Sequence, residues 1–225
     1  MYMVKNISNT VLGRRSLLLT AASVLVGAPA VQARSMDGME GGHPESTQGF
    51  WQRPRWVWLR RAATGEEVRV VYWRDGGLIE SAHHQISWLL RDVRFERMLS
   101  QGHHLIHHAL QTGLIGRQHL TPWTLMDIRL LDILYAYSAW LHSFNMARPL
   151  EITSGFRHLI TNNTTEGAAR NSHHLHGTAA DFRVKGIDVV NMARFGQYLQ
   201  GGGVGVYQGS GFIHIDKGRV RSWTG

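Results

Sequence analysis

Two apolar stretches near the end of the chain each contain a side chain that is able to bind a metal. Asp181 lies within residues 172–184, and His214 lies within residues 211–216. A carboxylate in an apolar, strand-like stretch is costly unless a charge or hydrogen bonds compensate it. A divalent cation shared with a neutral imidazole would supply that compensation. The residue types alone leave a second interpretation open, in which Asp181 caps a turn and His214 is a core histidine with satisfied hydrogen bonds.

Asp216 follows His214 by two residues, so the two side chains share one face if the stretch is a strand. One aspartate with two histidines would leave the fourth position of a zinc ion for water, which is typical of a catalytic site. Asp216 would then either orient a ligand or accept a proton from the zinc-bound water. A solvated strand end is the structural alternative for Asp216.

The composition supplies many histidines and excludes cysteine chemistry. The chain of 225 residues has 14 histidines and no cysteine, which excludes disulfide scaffolds, thiol catalysis and thiolate zinc sites. Its formal net charge of +8 would suit an anionic polymer, either nucleic acid or an acidic cell-wall polymer. The sequence contains no nucleic-acid-binding motif, and we therefore expect no nucleic-acid partner.

Residues 1–33 have the pattern of an export signal. The segment Arg14-Arg15-Ser16-Leu17-Leu18 resembles the twin-arginine signal of bacteria, and Val31-Gln32-Ala33 has the pattern of a cleavage site. The apolar run between them is shorter than the ~20 residues of a membrane span. We predict a twin-arginine signal peptide, a periplasmic protein and no stable membrane span after cleavage. An uncleaved N-terminal anchor is the alternative.

The rest of the chain predicts a flexible leader over residues 34–53 and one domain over residues 54–225. Segments rich in β-branched and aromatic residues at 56–59 and 68–73 predict a hairpin. The order of hairpin, helices and then strands predicts an α+β fold, with an antiparallel sheet flanked by helices.

The helical region is predicted to contain two helices. Apolar residues recur at helical spacing from Glu80 to Leu114. A second helix is predicted from about Thr121, with Pro122 as its first residue, to near Asn145. Beyond this helix the pattern predicts short strands and glycine-rich loops.

Residues 172–182 resemble the zinc motif of the M15-type peptidases. The motif here is Ser-x-His-x-x-Gly-x-Ala-x-Asp-Phe. The resemblance is strongest to the exported murein endopeptidases of the MepK type and extends over roughly residues 54–224. It implies a single domain of the hedgehog and D-Ala-D-Ala carboxypeptidase type. Four further stretches support it, at residues 64–76, 130–132, 153–157 and 202–216.

The resemblance implies roles for particular residues. It makes His174, Asp181 and His214 the ligands of a Zn²⁺ ion. It makes Arg157 the group that binds the substrate carbonyl or stabilises the oxyanion, with a structural ion pair as the alternative. Ser172 and His176 are expected beside the site as substrate-binding groups, although Ser172 is equally suited to forming a turn. Arg157 and Asp216 are the predicted catalytic residues.

One departure from the wider family leaves the general base open. Many M15 peptidases have an acidic residue three positions before the last histidine ligand, and here that position is Gly211. Asp216 is the first candidate for the base, followed by His176 and His173. The loop of residues 161–171 also differs from the family pattern, which puts its substrate contacts in doubt.

Other histidines and tryptophans favour structural roles. The residues at 103, 104, 107 and 108 form two histidine pairs at helical spacing, without the glutamate of the His-Glu-x-x-His zinc motif. We predict that they are exposed helix residues. The tryptophans at 51, 56, 58 and 73 are predicted to pack in the core and the hairpin.

The resulting hypothesis is a periplasmic zinc metallopeptidase that acts on the peptide stems of peptidoglycan. The resemblance implies hydrolysis of a cross-link that ends in a diaminopimelate or D-alanine residue. The alternative hypothesis is a non-catalytic, zinc-stabilised domain that binds the cell wall or acts as a scaffold, which the glycine at position 211 would allow.

Overall fold

The computed structural model describes residues 47–225. The predicted signal peptide lies outside the described residues, and so does most of the predicted leader. The described end of that leader forms one short helix, α1 (Thr47–Gln52). A boundary between two units of the chain falls between Pro54 and Arg55, and all further elements belong to the second unit. Within the described part, no helix combines the length and hydropathy that a membrane span requires.

The described residues form seven α-helices and eight strands. After α1 the chain continues with β1 (Arg55–Arg61), β2 (Glu67–Arg74), β3 (Gly77–Leu78), α2 (Glu80–Leu89), α3 (Val93–Ser100), α4 (His104–Gln111), α5 (Ile128–Ser143), β4 (Leu150–Ser154), α6 (Leu159–Asn163), β5 (Ala179–Arg183), α7 (Val189–Leu199), β6 (Gly203–Tyr207), β7 (Phe212–Asp216) and β8 (Arg221–Thr224). Two short 3₁₀ helices cover Arg117–His119 and His173–His176.

All eight strands belong to one sheet, in the order β3-β2-β1-β4-β5-β7-β6-β8. The predicted α+β class is confirmed. The sheet is mixed rather than purely antiparallel, because β1 pairs with β4 and β6 pairs with β8 in parallel. Parallel strands cannot be joined by a hairpin turn and need a long crossover connection. Between β1 and β4 this connection includes four helices.

Successive side chains of β5 lie on opposite faces of the sheet. Phe182 is fully buried on the face that packs against helices, and its ring meets Tyr137 of α5 edge-to-face at a centroid distance of 4.9 Å. Burying such a side chain contributes about 1.5–3 kcal/mol. The opposite face contains Asp181, His214 and Asp216, and we call it the site face. Because successive side chains of a strand point to opposite faces, the core residue Phe182 and the candidate site residues lie on opposite faces of the sheet.

The predicted hairpin is confirmed as β1 and β2, which pair antiparallel. Its tryptophans pack against arginines rather than forming a free platform. The guanidinium of Arg69 lies 4.8 Å from the ring centre of Trp58, and that of Arg55 lies 4.7 Å from the ring centre of Trp73.

The region from Glu80 onward forms three helices and not one. The side chain of Asp92 accepts a hydrogen bond from Phe95 N at 2.9 Å and starts α3. The side chain of His103 accepts one from Leu105 N and starts α4. Each side chain satisfies an amide that a new helix leaves without a partner, so the chain turns at both points. The helices enclose a small second core with α6, formed by Phe95, Ile106, Ala109, Ile115 and Ile160.

The predicted start of the second helix at Thr121 is wrong. Helix α5 begins at Ile128, and Asp127 caps it by accepting from Arg129 N at 2.9 Å. The residues before Asp127 form a loop that is held by contacts from distant parts of the chain. One example is Met126 N, which donates to Ser87 Oγ at 3.0 Å. Tertiary hydrogen bonds therefore override the helix-start pattern at Pro122.

Helix α7 was not predicted, because we expected only strands and loops after Leu150. Asp188 caps this helix by accepting from Val190 N at 2.6 Å. The helix begins with two valines, whose β-branching favours strands, and this conceals it in the sequence.

Candidate metal centre

Adjacent antiparallel strands place two of the predicted ligands side by side. Asp181 of β5 pairs directly with His214 of β7 on the site face. The third ligand, His174, lies in the 3₁₀ helix His173–His176, whose first turn is capped by the hydroxyl of Ser172. The backbone of Arg157 donates to the carbonyl of His174 at 3.0 Å, which anchors this helix to the end of β4.

The three side chains converge on one point. Asp181 Oδ1 lies 2.8 Å from His214 Nδ1 and 3.2 Å from His174 Nε2, and the two nitrogens are 3.2 Å apart. All three residues are buried, and within residues 47–225 they form the one group of histidine and acidic side chains close enough to share an ion. We call this group the triad.

The hydrogen bonds behind the rings determine which nitrogens face the centre of the triad. His174 Nδ1 donates to the carbonyl of Gly155 at 2.7 Å, because a carbonyl only accepts. His214 Nε2 lies 3.1 Å from Asp216 Oδ2 and donates to that carboxylate. In neutral rings that carry these two protons, His174 Nε2 and His214 Nδ1 present lone pairs to Asp181. In the other tautomer of His214, Nδ1 donates to Asp181 Oδ1 at 2.8 Å.

Three lone pairs at this separation repel one another, so either protons or a metal cation must lie between them. Zinc bonds of about 2.0–2.1 Å in a tetrahedron would separate the ligand atoms by about 3.3 Å. The distances of 2.8–3.2 Å within the triad are close to that value. Two imidazoles and one carboxylate therefore fit a zinc ion with its fourth position open.

Charge interactions within the triad outweigh the cost of burial. Burial alone would raise the pKa of Asp181, but when the facing imidazole nitrogens carry protons, the charge of His174 and hydrogen bonds from His174 and His214 hold that pKa well below its usual value. Asp181 is therefore a carboxylate, which is the form that binds a metal.

Asp216 lies behind His214 and not at the centre of the triad. Its side chain is 0% exposed, and Arg221 binds both of its oxygens, with Nη1 at 3.0 Å from Oδ1 and Nη2 at 2.7 Å from Oδ2. The amide of Gly218 also donates to Oδ1, at 2.7 Å. Burial would raise the pKa of Asp216, but hydrogen bonds from His214 and Arg221 lower it overall. Of the two roles left open by the sequence, this geometry favours orienting His214 over accepting a proton.

Arg157 lies beside the triad. Its Nη2 is 3.7 Å from Asp181 Oδ2, and the same atom donates to Ser154 Oγ at 3.3 Å. Its Nη1 donates to Asn162 Oδ1 at 3.4 Å. The guanidinium is thus held beside a buried carboxylate in a fixed orientation. Asn162 was not predicted as a site residue, and it lies in α6, at the start of the segment 161–171 that was predicted to be a loop.

The other predicted groups lie around the 3₁₀ helix. Ser172 accepts from His174 N at 3.3 Å, which is the turn-forming role that the sequence left open. His176 is exposed, and its Nε2 lies 3.0 Å from Asn171 Oδ1. His173 Nδ1 donates to Thr178 Oγ1 at 2.9 Å. None of these three residues belongs to the triad, and Gly211 lies in the turn between β6 and β7.

The histidines of the α4 region do not form a second centre within residues 47–225. His104, His107 and His108 are exposed, in agreement with the prediction. His103 is half-buried because its ring caps α4, and it stacks on His104 with ring centres 4.4 Å apart.

A buried triad of two histidines and one aspartate on a sheet face has the composition of a mononuclear metal centre with an open position. The family model described as peptidoglycan L,D-endopeptidase MepK, an M15 peptidase family, matches residues 116–223. This range contains Arg157, the triad and Asp216.

Two curated relatives cover most of the chain. The peptidoglycan L,D-endopeptidase MepK of Escherichia coli (strain K12) is 29% identical over 175 residues, which are 76% of this chain and 81% of the relative. The probable peptidoglycan L,D-endopeptidase MepK of Haemophilus influenzae is 40% identical over 177 residues, which are 77% of this chain and 81% of the relative. The chain belongs to the MepK-type family of M15 peptidases.

Proposed function

We propose that the protein is an exported zinc metallopeptidase that hydrolyses peptide cross-links of peptidoglycan. The observation that supports this most directly is the convergence of three lone pairs in the triad of a chain that belongs to a peptidase family. The two relatives are named L,D-endopeptidases, and we extend that bond type to this chain.

The triad would hold the metal through His174 Nε2, Asp181 Oδ1 and His214 Nδ1. A zinc ion bound there supplies a water of lowered pKa and polarises the scissile carbonyl. Gly155 and Asp216 keep the two imidazoles in the tautomers that bind a cation. These contacts exist before any metal binds, so the ligands need little rearrangement.

Arg157 is the proposed oxyanion-stabilising residue. Its guanidinium is held by Ser154 and Asn162 beside Asp181, so it is aimed before substrate arrives. A fixed cation beside developing negative charge stabilises a transition state more than the ground state.

The proton acceptor is proposed to lie on the 3₁₀ helix that contains His174. Asp216 is poorly suited, because its oxygens are taken up by Arg221, His214 and the backbone. His173 and His176 flank His174 in this helix, and both are at least partly exposed. Replacement of the true base is expected to lower kcat about 10²–10⁴-fold, and replacement of the other histidine is expected to leave kcat near the wild-type value.

Export by the twin-arginine route and a periplasmic location form part of the same proposal. They rest on residues 1–33 and on the location of peptidoglycan outside the cytoplasm. Replacement of Arg14 and Arg15 by lysine is expected to leave the protein inside the cell, as measured by fractionation. Export of this variant at the wild-type rate would contradict the proposed route.

The direct test is digestion of purified muropeptide dimers by the protein and by the His174→Ala variant. We expect the wild-type protein to convert L,D-linked dimers to monomers and to leave D,D-linked dimers intact, and His174→Ala to be inactive. The matched control is His107→Ala, which removes an exposed histidine outside the triad and should retain full activity. Intact dimers of both types with a zinc-loaded protein would contradict the proposal and favour a non-catalytic wall-binding domain.

A further inference from the structure

Two rows of paired residues cross the site face from the triad to the edge strand β8. The first row runs from Asp181 through His214 and Gly205 to Trp223, with each residue paired to the next. The second row runs from Ala179 through Asp216 and Gly203 to Arg221. In both rows the residue contributed by β6 is a glycine.

The glycine in the first row allows Trp223 to reach His214. The centres of the two rings are 5.3 Å apart, although a whole strand lies between them. A Cβ atom on Gly205 would lie 2.7 Å from Cε2 and Cζ2 of Trp223, which is closer than real Cβ contacts come. The indole therefore lies over the bare backbone of β6 and contacts the imidazole beside it.

The glycine in the second row allows Arg221 to reach Asp216. A Cβ atom on Gly203 would lie 2.3 Å from Arg221 Nη1 and 2.5 Å from Asp216 Oδ2. Without that atom, the guanidinium binds both carboxylate oxygens, and Asp216 Oδ2 in turn accepts from His214 Nε2.

Arg221 and Trp223 also support each other. The guanidinium carbon of Arg221 lies 4.8 Å from the centre of the Trp223 ring. Trp223 Nε1 donates to the hydroxyl of Tyr207 at 3.2 Å, and Tyr207 stacks on Phe212 with ring centres 4.7 Å apart. The two side chains are thus fixed on more than one side.

We infer that β8 is a positioning element of the metal centre. Arg221, acting through Asp216, holds His214 in the tautomer whose Nδ1 lone pair faces the triad, and Trp223 fixes the plane of that ring. Both residues act across the glycines of β6. This inference rests on the proposed function only in that His214 is a metal ligand.

The physical reason lies in the competition between two tautomers of His214. A bidentate guanidinium fixes the position of the Asp216 carboxylate, so Oδ2 is aimed at His214 Nε2 and accepts from Nε2–H. Without the guanidinium, the hydrogen bond from His214 Nε2 to Asp216 weakens. The population of the Nδ1–H tautomer then rises, and this tautomer offers no lone pair to the metal. Partners behind a ligand of this kind typically change metal affinity by about 10–100-fold.

The first test compares Arg221→Gln with Arg219→Gln, a neighbouring exposed arginine, in the full-length protein. Zinc affinity is measured by competition with a chromogenic chelator. The His214 tautomer in the metal-free protein is read from long-range ¹H–¹⁵N spectra. We expect Arg221→Gln to bind zinc about 10–100-fold more weakly, with a shift toward Nδ1–H, and Arg219→Gln to match the wild type. If Arg221→Gln does not fold, the zinc affinity and the His214 tautomer are measured in Arg221→Lys instead. We expect the same changes there, because one ammonium group does not bind both carboxylate oxygens as a guanidinium does.

The second test is a double-mutant cycle between Gly205→Ala and Trp223→Ala. We expect each single change to weaken zinc binding, and Gly205→Ala to weaken it no further in a protein that already carries Trp223→Ala.

A folded Arg221→Gln protein with zinc affinity within twofold of wild type and an unchanged tautomer would overturn the role of Arg221. Strictly additive effects in the cycle would overturn the role of Trp223. A protein that binds zinc but cleaves no dimer would contradict the proposed function alone, because these readouts do not need turnover.

Discussion

Each histidine of the triad has one ring nitrogen engaged in a hydrogen bond within the protein. His174 donates to the carbonyl of Gly155, and His214 donates to Asp216. The choice of nitrogen differs between the two rings, so Nε2 of one and Nδ1 of the other face Asp181. The centre is therefore organised for a cation by its surroundings as well as by its three ligands.

Replacement of Arg157 should separate catalysis from metal binding. We expect Arg157→Ala to lower kcat about 10²–10³-fold, because a fixed donor to the oxyanion is lost. The triad is untouched, so zinc content should stay at the wild-type level. Steady-state cleavage of muropeptide dimers and elemental analysis measure the two quantities. Arg183→Ala is the control, since it removes an exposed arginine that pairs with Glu151. Loss of zinc in parallel with activity would contradict the assigned role.

Arg61, at the end of β1, is a buried cation whose desolvation outweighs the attraction of the nearby carboxylates of Asp92, Glu66 and Asp181. Its Nε and Nη1 atoms are buried and have no hydrogen-bond partner within residues 47–225. Burial lowers the pKa of Arg61 to about 10. We expect Arg61→Met to raise the free energy of unfolding by about 1–4 kcal/mol, because an apolar side chain of similar length has no such desolvation cost. Chemical denaturation measures this change. Arg60→Met, at the exposed neighbouring position, should change it by less than about 0.5 kcal/mol. A destabilised Arg61→Met protein would contradict the interpretation.

The segment between β4 and α6 links the candidate site to the helical region. The amide of Phe156 donates to the carbonyl of Leu90 at 2.7 Å, and the amide of His158 donates to Asp92 Oδ2 at 2.8 Å. Asp92 also caps α3 through its other oxygen. One buried carboxylate therefore fixes both the start of a helix and the segment that contains Arg157.

His158 makes this junction sensitive to acid. Its ring stacks on Phe95 with centres 3.6 Å apart, its Nδ1 accepts from Ile160 N, and its Nε2 donates to the carbonyl of His119. Burial lowers the pKa of His158 below its usual value. The unfolded chain therefore binds the proton more readily than the folded one. The stability contributed by neutral His158 is complete above about pH 6.5 and is lost as the pH falls toward the folded pKa.

The variant His158→Asn keeps a side chain that caps α6 but does not titrate in this range. We expect the Tm of the wild-type protein to fall more between pH 7 and pH 5 than the Tm of His158→Asn. His107→Asn, at an exposed position, should follow the wild type. Equal pH slopes for wild type and His158→Asn would show that His158 makes no contribution.

The parts that the sequence predicted correctly depend on local patterns. The hairpin and the α+β class follow from residue patterns along the chain, whereas the grouping of Asp181 with His214 was implied by the resemblance to the M15-type peptidases. The start of α5 could not be predicted locally, because the loop before Asp127 is held by partners such as Ser87 that lie far away in the chain. The contacts of Arg221 with Asp216 depend on the strand order β7-β6-β8, which no local pattern specifies.

If the triad binds a metal as proposed, metal binding contributes to the stability of the whole domain. A metal that binds only the folded protein stabilises it, so we expect chelation to lower the Tm and zinc to restore it. Zinc at one hundred times its dissociation constant adds about 2.7 kcal/mol to the free energy of unfolding. Differential scanning calorimetry measures the shift. The Asp181→Asn variant is the control and should respond much less to zinc. An identical Tm with and without zinc would contradict a metal site at the triad.

The triad is proposed to hold the metal with which the protein cleaves cross-links. The most direct measurement is mass spectrometry of L,D-linked muropeptide dimers incubated with the protein as purified, after chelation, and after addition of one equivalent of zinc. We expect monomers in the first sample, intact dimers in the second and monomers again in the third. Cleavage that continues at the same rate after complete removal of the metal would contradict it.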